Sequence, residues 1–255
     1  MQTKVYSVIT GTGRGIPEKV IKNSDFLEND FYDESGVKMD KTNEEIIQKF
    51  KEITGIEERR YLEDHQVNSD LAYLAAENAI KDAGIDREEL DYIIVAHNFG
   101  DVKKSTGSVD TVPSLAARVK KLLGIQNPWT IAYDLIFGCP GWIQGLIQAN
   151  YYIKSGDAHK VLVIGADSLS RISDPHDRDS MIFADGAGAT LLESRESEEP
   201  VGILAHASRS DALNQAYLMW MERSNNPNYA GDEIFIKMNG GKQSEYALTA
   251  TPHLL

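Results

Sequence analysis

Among its 255 residues this chain has a single cysteine, Cys139. One thiol excludes an internal disulfide framework and suits a reducing compartment. No apolar run approaches the ~18 residues of a membrane-crossing helix. The opening stretch, Met1-Gln-Thr-Lys-Val-Tyr-Ser-Val-Ile-Thr10, lacks the apolar centre of a secretory signal. The expectation is a cytoplasmic protein with no membrane contact. Positive charge is scarce as well: 26 Lys and Arg stand against 39 Asp and Glu, a net charge of −13. That balance argues against a nucleic-acid or anionic-lipid surface. The one dense group of cations, Lys103, Lys104, Arg118, Lys120 and Lys121, reads as a solvated helix face.

Two motifs invite readings that their surroundings do not support. Gly11-Thr-Gly-Arg-Gly15 looks like a dinucleotide turn after the strand Val5 to Thr10. Pro17 follows at once and no helical pattern opens, so that reading is set aside and a plain turn is expected. Asp174-Pro-His-Asp-Arg-Asp179 mixes carboxylates with an imidazole, but its spacing fits no metal-ligand pattern. No metal is expected there, and the loop reads as a solvated turn with local ion pairs.

Periodicity supplies the elements. Lys41 to Ile53 is helical, with Ile46, Ile47, Phe50 and Ile53 on one stripe. Asn68 or Ser69 caps a second helix that ends near Gly84. Val112 to Leu123 is a third. Tyr92 to Ala96, Ile131 to Phe137 and Val161 to Ala166 are apolar strands; Met181 to Leu192 and Val201 to Ala207 are strand-like. Strands that are apolar throughout, alternating with helices, imply an α/β fold with a sheet covered on both faces. Residues 208–240 read as a polar, irregular excursion, and Gln243 to Leu255 as the opening of a further helix.

Cys139 sits where that alternation puts chemistry. A strand-like run ends at Gly138, and Pro140 and Gly141 then open a helix carrying Trp142, Ile143, Leu146, Ile147, Ala149 and Tyr151. That helix is apolar nearly all round and is expected to be buried. Lone cysteines are commonly small buried hydrophobes. A sulfur at a strand-to-helix turn instead lies at the positive end of the helix dipole, a position that favours the thiolate. Gly138 and Gly141 clear space for a carbonyl, and Pro140 suits the first helical position. The logic is that of the hydrolase nucleophile elbow, with sulfur replacing oxygen.

An ordered set of segments resembles the thiolase-like condensing enzymes, specifically 3-oxoacyl-[acyl-carrier-protein] synthase III. They are Thr54-Gly-Ile-Glu-Glu-Arg-Arg60, Gly138-Cys139, Lys154-Ser-Gly-Asp157, Val163-Ile-Gly-Ala-Asp167, Asp174-Pro-His-Asp-Arg178 and Phe183-Ala-Asp-Gly-Ala-Gly-Ala189. The resemblance covers roughly residues 1–195. It implies a layered α-β-α-β-α fold, of which this chain carries the N-terminal half and the start of the second. Residues 1–195 would be the nucleophile-bearing half, and 196–255 a linker, an excursion and a truncated start of the other half. In such enzymes the cysteine takes an acyl group from acyl-coenzyme A; malonyl-acyl-carrier-protein then loses carbon dioxide and attacks the thioester. The resemblance implies no cofactor beyond these substrates, with acyl carrier protein and acyl-coenzyme A as partners, and a homodimer.

Site roles follow from the same resemblance. Cys139 is the nucleophile and its backbone N–H part of an oxyanion hole. Arg178 lies against the coenzyme A adenine, Phe183 lines the pocket near the nucleophile, and the turn Asp185 to Ala189 supports the cysteine. The family often has a tryptophan in the helix before Thr-Gly-Ile; this chain has none there. It often has a phenylalanine before Pro-Ser that closes the acyl pocket across a dimer; here that residue is Val112, implying room for primers longer or more branched than acetyl. The His-Gln-Ala-Asn and Gly-Asn-Thr-Ser motifs that drive decarboxylation do not occur, so this chain alone is expected to condense poorly. Two alternatives stay open: a secondary-metabolism ketosynthase or acyltransferase on the same fold, and a cysteine-bearing subunit completed by a partner chain.

Overall fold

The structure, a computed structural model, describes residues 3–253. The chain forms two compact units that interleave in sequence. The first comprises residues up to 17, 64–168 and 186–206; the second comprises 18–63, 169–185 and 207 onward.

The first unit is built on a five-stranded sheet. Its strands are β1 (Lys4–Gly15), β4 (Tyr92–Ala96), β7 (Ile131–Leu135), β8 (Lys160–Ser168) and β9 (Asp185–Ser197), in the order β1-β9-β8-β4-β7. β4 runs parallel to both β7 and β8, while β1 and β9 are antiparallel. Helices α2 (Asn68–Ala83) and α3 (Leu115–Leu122) cover one face, packing alanines and Leu115, Val119 onto Ile93, Val95, Leu162 and Leu191. Helix α4 (Gly141–Ser155) covers the other, with Ala149 and Ile153 against Ile94, Val161 and Val163. Alternate residues of β4 thus feed opposite cores, as the two-residue period of a strand requires. A covered α/β sheet is what the apolar strands implied.

Several boundaries differ from expectation for identifiable reasons. The Gly11–Gly15 segment is not a turn: β1 runs straight through it, and Gly11, Gly13 and Gly15 pair with Leu191, Ala189 and Ala187. A Cβ on Gly11, Gly13 or Gly15 would lie 2.4, 2.1 or 2.3 Å from the carbonyl oxygen of Ala79, Ala75 or Leu71. Two strand residues advance ~6.8 Å and four helical residues ~6 Å, so one glycine meets each turn of α2. The glycines bring a strand onto a helix backbone. Asp185 to Ala189 is likewise strand rather than turn. α2 is not capped by Asn68 or Ser69; Val67 precedes it, its N–H bonded to Asp70, while Ser69 gives its N–H and hydroxyl to Asp101. α3 starts only after Ser114, whose hydroxyl accepts from the Ala117 N–H, and the Val112–Pro113 peptide is cis. Val201 to Ala207 forms no strand. α4 is not buried all round: Ile143 and Tyr151 are more than half exposed.

The second unit holds two antiparallel strand pairs. β2 (Lys19–Lys22) pairs with β3 (Glu58–Tyr61), and β10 (Met219–Glu222) with β11 (Phe235–Met238), so the 208–240 stretch is partly ordered as a hairpin. Helix α1 (Asn43–Thr54) lays Ile46 on Phe26, Phe31 and Met181. It begins with a capping box between Thr42 and Glu45 and ends at Gly55 in the left-handed region. Residues 178–182 form a 3-10 turn, so the strand expected from Met181 begins only at Asp185. Helix α5 (Gly240–Ala250) opens three residues earlier than expected, and a 3-10 turn ends at residue 253; positions 254–255 of that expectation lie outside the described residues.

A short two-stranded piece completes the first unit. β5 (Asp101–Val102) pairs with β6 (Val109–Asp110). No described helix is long and apolar enough to cross a membrane.

Candidate active site

The strand-to-helix turn carrying Cys139 is formed. β7 ends at Leu135, residues 136–140 are exposed, and α4 begins at Gly141. Cys139 is a free, exposed thiol, so it is no core hydrophobe. Gly138 adopts φ +73°, a conformation that favours glycine, and its carbonyl accepts from the Gly141 N–H at 2.9 Å. Pro140 is the residue before the helix rather than its first turn, and its carbonyl takes the Gln144 N–H.

The turn is held from below. A Cβ on Gly141 would come within 3.0 Å of Ala96 Cβ, and one on Gly145 within 2.7 Å of Val163 Cγ1. α4 therefore sits closely on the C-terminal end of β4 and the middle of β8, which fixes where its first turn lies. From β7 itself, Asp134 ties three elements together. Its carboxylate accepts from the Leu115 and Ala116 N–H groups at 2.8 Å each, at the start of α3. It also meets Nε2 of the buried His97 at 2.9 Å. The Gly100 N–H donates to His97 Nδ1 at 3.0 Å, which assigns the imidazole proton to Nε2 and makes it the donor to Asp134. Burial pushes the Asp134 carboxyl up, but bonds from His97, Ala116 and Leu115 outweigh that and hold it below the usual carboxylate range.

Residue-pair reading of the sequence missed this cluster, because His97 and Asp134 are 37 positions apart. Asp134→Ala would strip two helix N–H groups and a buried imidazole of their acceptor, with an expected loss of about 3 kcal/mol. Thermal denaturation reads it. The folded-state value is depressed, so this contribution is present above an unfolded-chain value of 3.8 and is lost as pH falls through the lower folded value. The acid limb of the wild-type stability curve should be steeper than that of the variant; parallel limbs would contradict the assignment.

Val112 is 83% exposed, on the segment after β6. Arg118 clamps that segment: its guanidinium reaches Asp101 at 2.6 Å, Asp110 at 2.8 Å and the Pro113 carbonyl at 2.9 Å. The cation group expected as a solvated face is thus partly structural. Lys120 gives its ammonium to the Asn127 and Thr130 carbonyls, and Lys104 pairs with Asp64.

Cys139 and Val112 belong to the first unit, Arg178 and Phe183 to the second. Arg178 is half exposed, with Nε 3.5 Å from Asp179 Oδ1, so its local pair is with Asp179 rather than Asp174 or Asp177. It lines a cleft of about 440 Å³ with Ile46, Lys49, Phe50, Ile53 and Thr54 of α1 and Met181, Ile182 and Met238. It also lines a second of about 490 Å³ with Tyr32, Asp33, Glu34, Asp177 and Trp220. Phe183 is buried and is not among the residues lining either cleft. Asp174 is fully occupied by the buried Lys237, the Asn225 and His176 N–H groups and the Ser224 hydroxyl. Burial raises the Asp174 carboxyl, yet Lys237 and those N–H groups leave it below its ordinary range.

Comparison with known proteins places this architecture. The family model for 3-oxoacyl-[acyl-carrier-protein (ACP)] synthase III matches residues 133–212, which include Cys139, Arg178 and Phe183. The chain is 41% identical over 203 residues to beta-ketoacyl-[acyl-carrier-protein] synthase III 1 of Vibrio parahaemolyticus, covering 79% of this chain and 56% of that protein. It is 36% identical over 228 residues to the Staphylococcus aureus synthase III, covering 89% and 65%. The chain therefore spans less than two thirds of the length of these curated relatives. The solved structure of the synthase III from Thermus thermophilus superposes with a TM-score of 0.72 at 30% identity, covering 95% of this chain and 68% of that one. An exposed thiol on this strand-to-helix turn, in a fold shared over two thirds of a 30%-identical relative, makes the chain a member of the 3-oxoacyl-[acyl-carrier-protein] synthase III family.

Proposed function

We propose that Cys139 accepts the acyl group in a decarboxylative condensation that starts fatty-acid chains. The observation that carries this is the exposed Cys139 thiol on a turn whose following helix is seated closely on the sheet at Gly141 and Gly145. In the first half-reaction the Cys139 thiolate attacks the acyl-coenzyme A carbonyl. The carbon–sulfur bond to coenzyme A breaks, and the released coenzyme A thiolate takes up the proton that Cys139 gave up. The Cys139 N–H supplies part of the oxyanion hole. In the second, malonyl-acyl-carrier-protein loses carbon dioxide, its carbanion attacks the acyl-enzyme carbonyl, and the cysteine leaves with a 3-oxoacyl product formed on the carrier protein. Thioester chemistry of this kind needs no cofactor. The cytoplasm, which keeps a lone thiol reduced, suits it.

Arg178 and the α1 cleft are the proposed seat of the coenzyme A portion, and Phe183 a wall of the acyl pocket. Val112 at the clamped segment leaves room for primers longer or more branched than acetyl. Because the residues present account for the acyl-accepting step, acylation of Cys139 is the reaction to test. A panel of acyl-coenzyme A donors, read by intact mass, should give an adduct, with acetyl not the preferred primer. Strong preference for acetyl would remove the role given to Val112.

A homodimer is proposed through the free edge of β7. That strand ends the sheet, and Ile131, Ile136 and Phe137 on and after it, with Trp129 before it, are exposed by 45, 67, 45 and 82%. An unpaired, apolar edge is a template for pairing with a second copy. Sedimentation should give twice the 28.3 kDa chain mass, and Ile136→Asp should return it to one. A wild-type monomer at tens of micromolar would contradict this.

A further inference from the structure

We propose that Arg118 is a positioning residue for primer selection. By clamping the backbone on both sides of Val112 it turns that side chain into a fixed stop for the acyl chain. This rests on the proposed acyl transfer to Cys139 and on the place given to Val112.

Val112 is 83% exposed, so holding it in place adds little to the core of its own unit. Ordering an exposed segment costs conformational entropy, yet this one is tied down along its length. Asp110 Oδ1 accepts from Arg118 Nη2 at 2.8 Å and from the Val112 N–H at 3.3 Å. On the far side of Val112, the Pro113 carbonyl accepts from Arg118 Nε at 2.9 Å. One planar guanidinium thus brackets Val112 from Asp110 to Pro113, a fork that an ammonium cannot reproduce. Its remaining arm, Nη1, reaches Asp101 at 2.6 Å. Asp101 is 2% exposed and is itself fixed, taking the Ser69 N–H and hydroxyl at 2.7 Å each. Gly100 lets the two sides of the ribbon close up: a Cβ there would lie 2.6 Å from the Asp110 carbonyl oxygen.

The clamp is tied to the same frame as the nucleophile. Arg118 stands on α3, whose Leu115 and Ala116 N–H groups are held by Asp134. Asp134 lies on β7, five residues before Cys139. All of these residues belong to the first unit. A fixed apolar wall discriminates a single methylene by about tenfold or more, and a wall that yields does not. Selectivity between primers is therefore what the clamp adds, and Arg118 acts on the acyl chain only through Val112.

The test uses the full chain, Arg118→Ala, the Asp101→Asn/Arg118→Gln double variant and Lys104→Ala. In the double variant the new amide can keep both Ser69 bonds and no buried carboxylate is left without its counter-charge, so the clamp is removed with the least risk to folding. Lys104, between β5 and β6, pairs with the exposed Asp64 and serves as the charge control. Each protein is given the preferred acyl-coenzyme A and the thioesters one methylene longer and shorter, and acylation of Cys139 is followed by intact mass. The ratio of rates for the preferred primer over its neighbours should fall about tenfold in both clamp variants and stay at wild type in Lys104→Ala. Amide exchange over residues 100–113, which does not involve Cys139, should quicken about tenfold or more in the same two variants. Slower acylation with the ratio preserved, unchanged exchange, or an equal change of ratio in Lys104→Ala overturns the proposal. Faster exchange in the clamp variants, with no acylation of the wild type by any donor, would uphold the clamp and overturn the acyl-transfer reading instead.

Discussion

Gly13→Ala should destabilise the first unit by about 3 kcal/mol or more, and Gly13→Val should prevent it from folding. The new Cβ would stand 2.1 Å from the Ala75 carbonyl oxygen and 2.4 Å from the Ala79 N, both helix backbone atoms. Neither can swing aside as a side-chain tip does. Relief would require α2 to lift from β1, opening a core of fully buried alanines at 72, 75, 76 and 79. Gly188→Ala is the matched control. Gly188 pairs with Arg14 in the same ladder, yet nothing lies within 4 Å of its Cβ position. Its substitution should move the denaturation midpoint little. Equal effects at the two positions would refute the close-approach account of the glycine stripe.

Cys139→Ala should abolish acyl transfer, by at least about a thousandfold, while leaving the fold intact. The side chain is exposed and its loss opens no cavity, so thermal stability should stay within about 0.5 kcal/mol of wild type. That separation of activity from stability is what distinguishes a nucleophile from a structural thiol. A buried structural cysteine would show the reverse pattern. Cys139→Ser is informative beside it: a hydroxyl keeps the shape but is a far weaker nucleophile at neutral pH, so transfer should remain severely impaired. Loss of stability in both variants, with transfer surviving, would contradict the role given to Cys139.

The strand-to-helix turn that carries Cys139 was legible in the sequence because its signal is local. Gly138 supplies a left-handed turn, Gly141 a close helix seat, and both lie within three residues of the thiol. The apolar runs at 92–96 and 161–166 are likewise local and became the central strands. What a local pattern could not tell was the use of glycine in β1 and at the start of β9. Gly-x-Gly-x-Gly reads as a turn until it is known that α2 lies against it, and that contact joins residues more than 50 positions apart. The same distance hid the polar clusters. Asp134 lies inside a run that reads simply as an apolar strand, and its partners His97, Leu115 and Ala116 come from other elements. Asp174 and Lys237, 63 residues apart, form a buried pair inside a stretch that read as solvated loops. Helix α4 misled in the other direction, since an apolar surface on all sides does not say which side a neighbour covers.

The account turns on a covalent acyl group at one sulfur. Incubating the folded protein with a series of acyl-coenzyme A thioesters and mapping the adduct by peptide mass tests it most directly. The account predicts one acyl group per chain, confined to the peptide containing Cys139 and absent from Cys139→Ala. An adduct on another residue, or none from any donor, would contradict it.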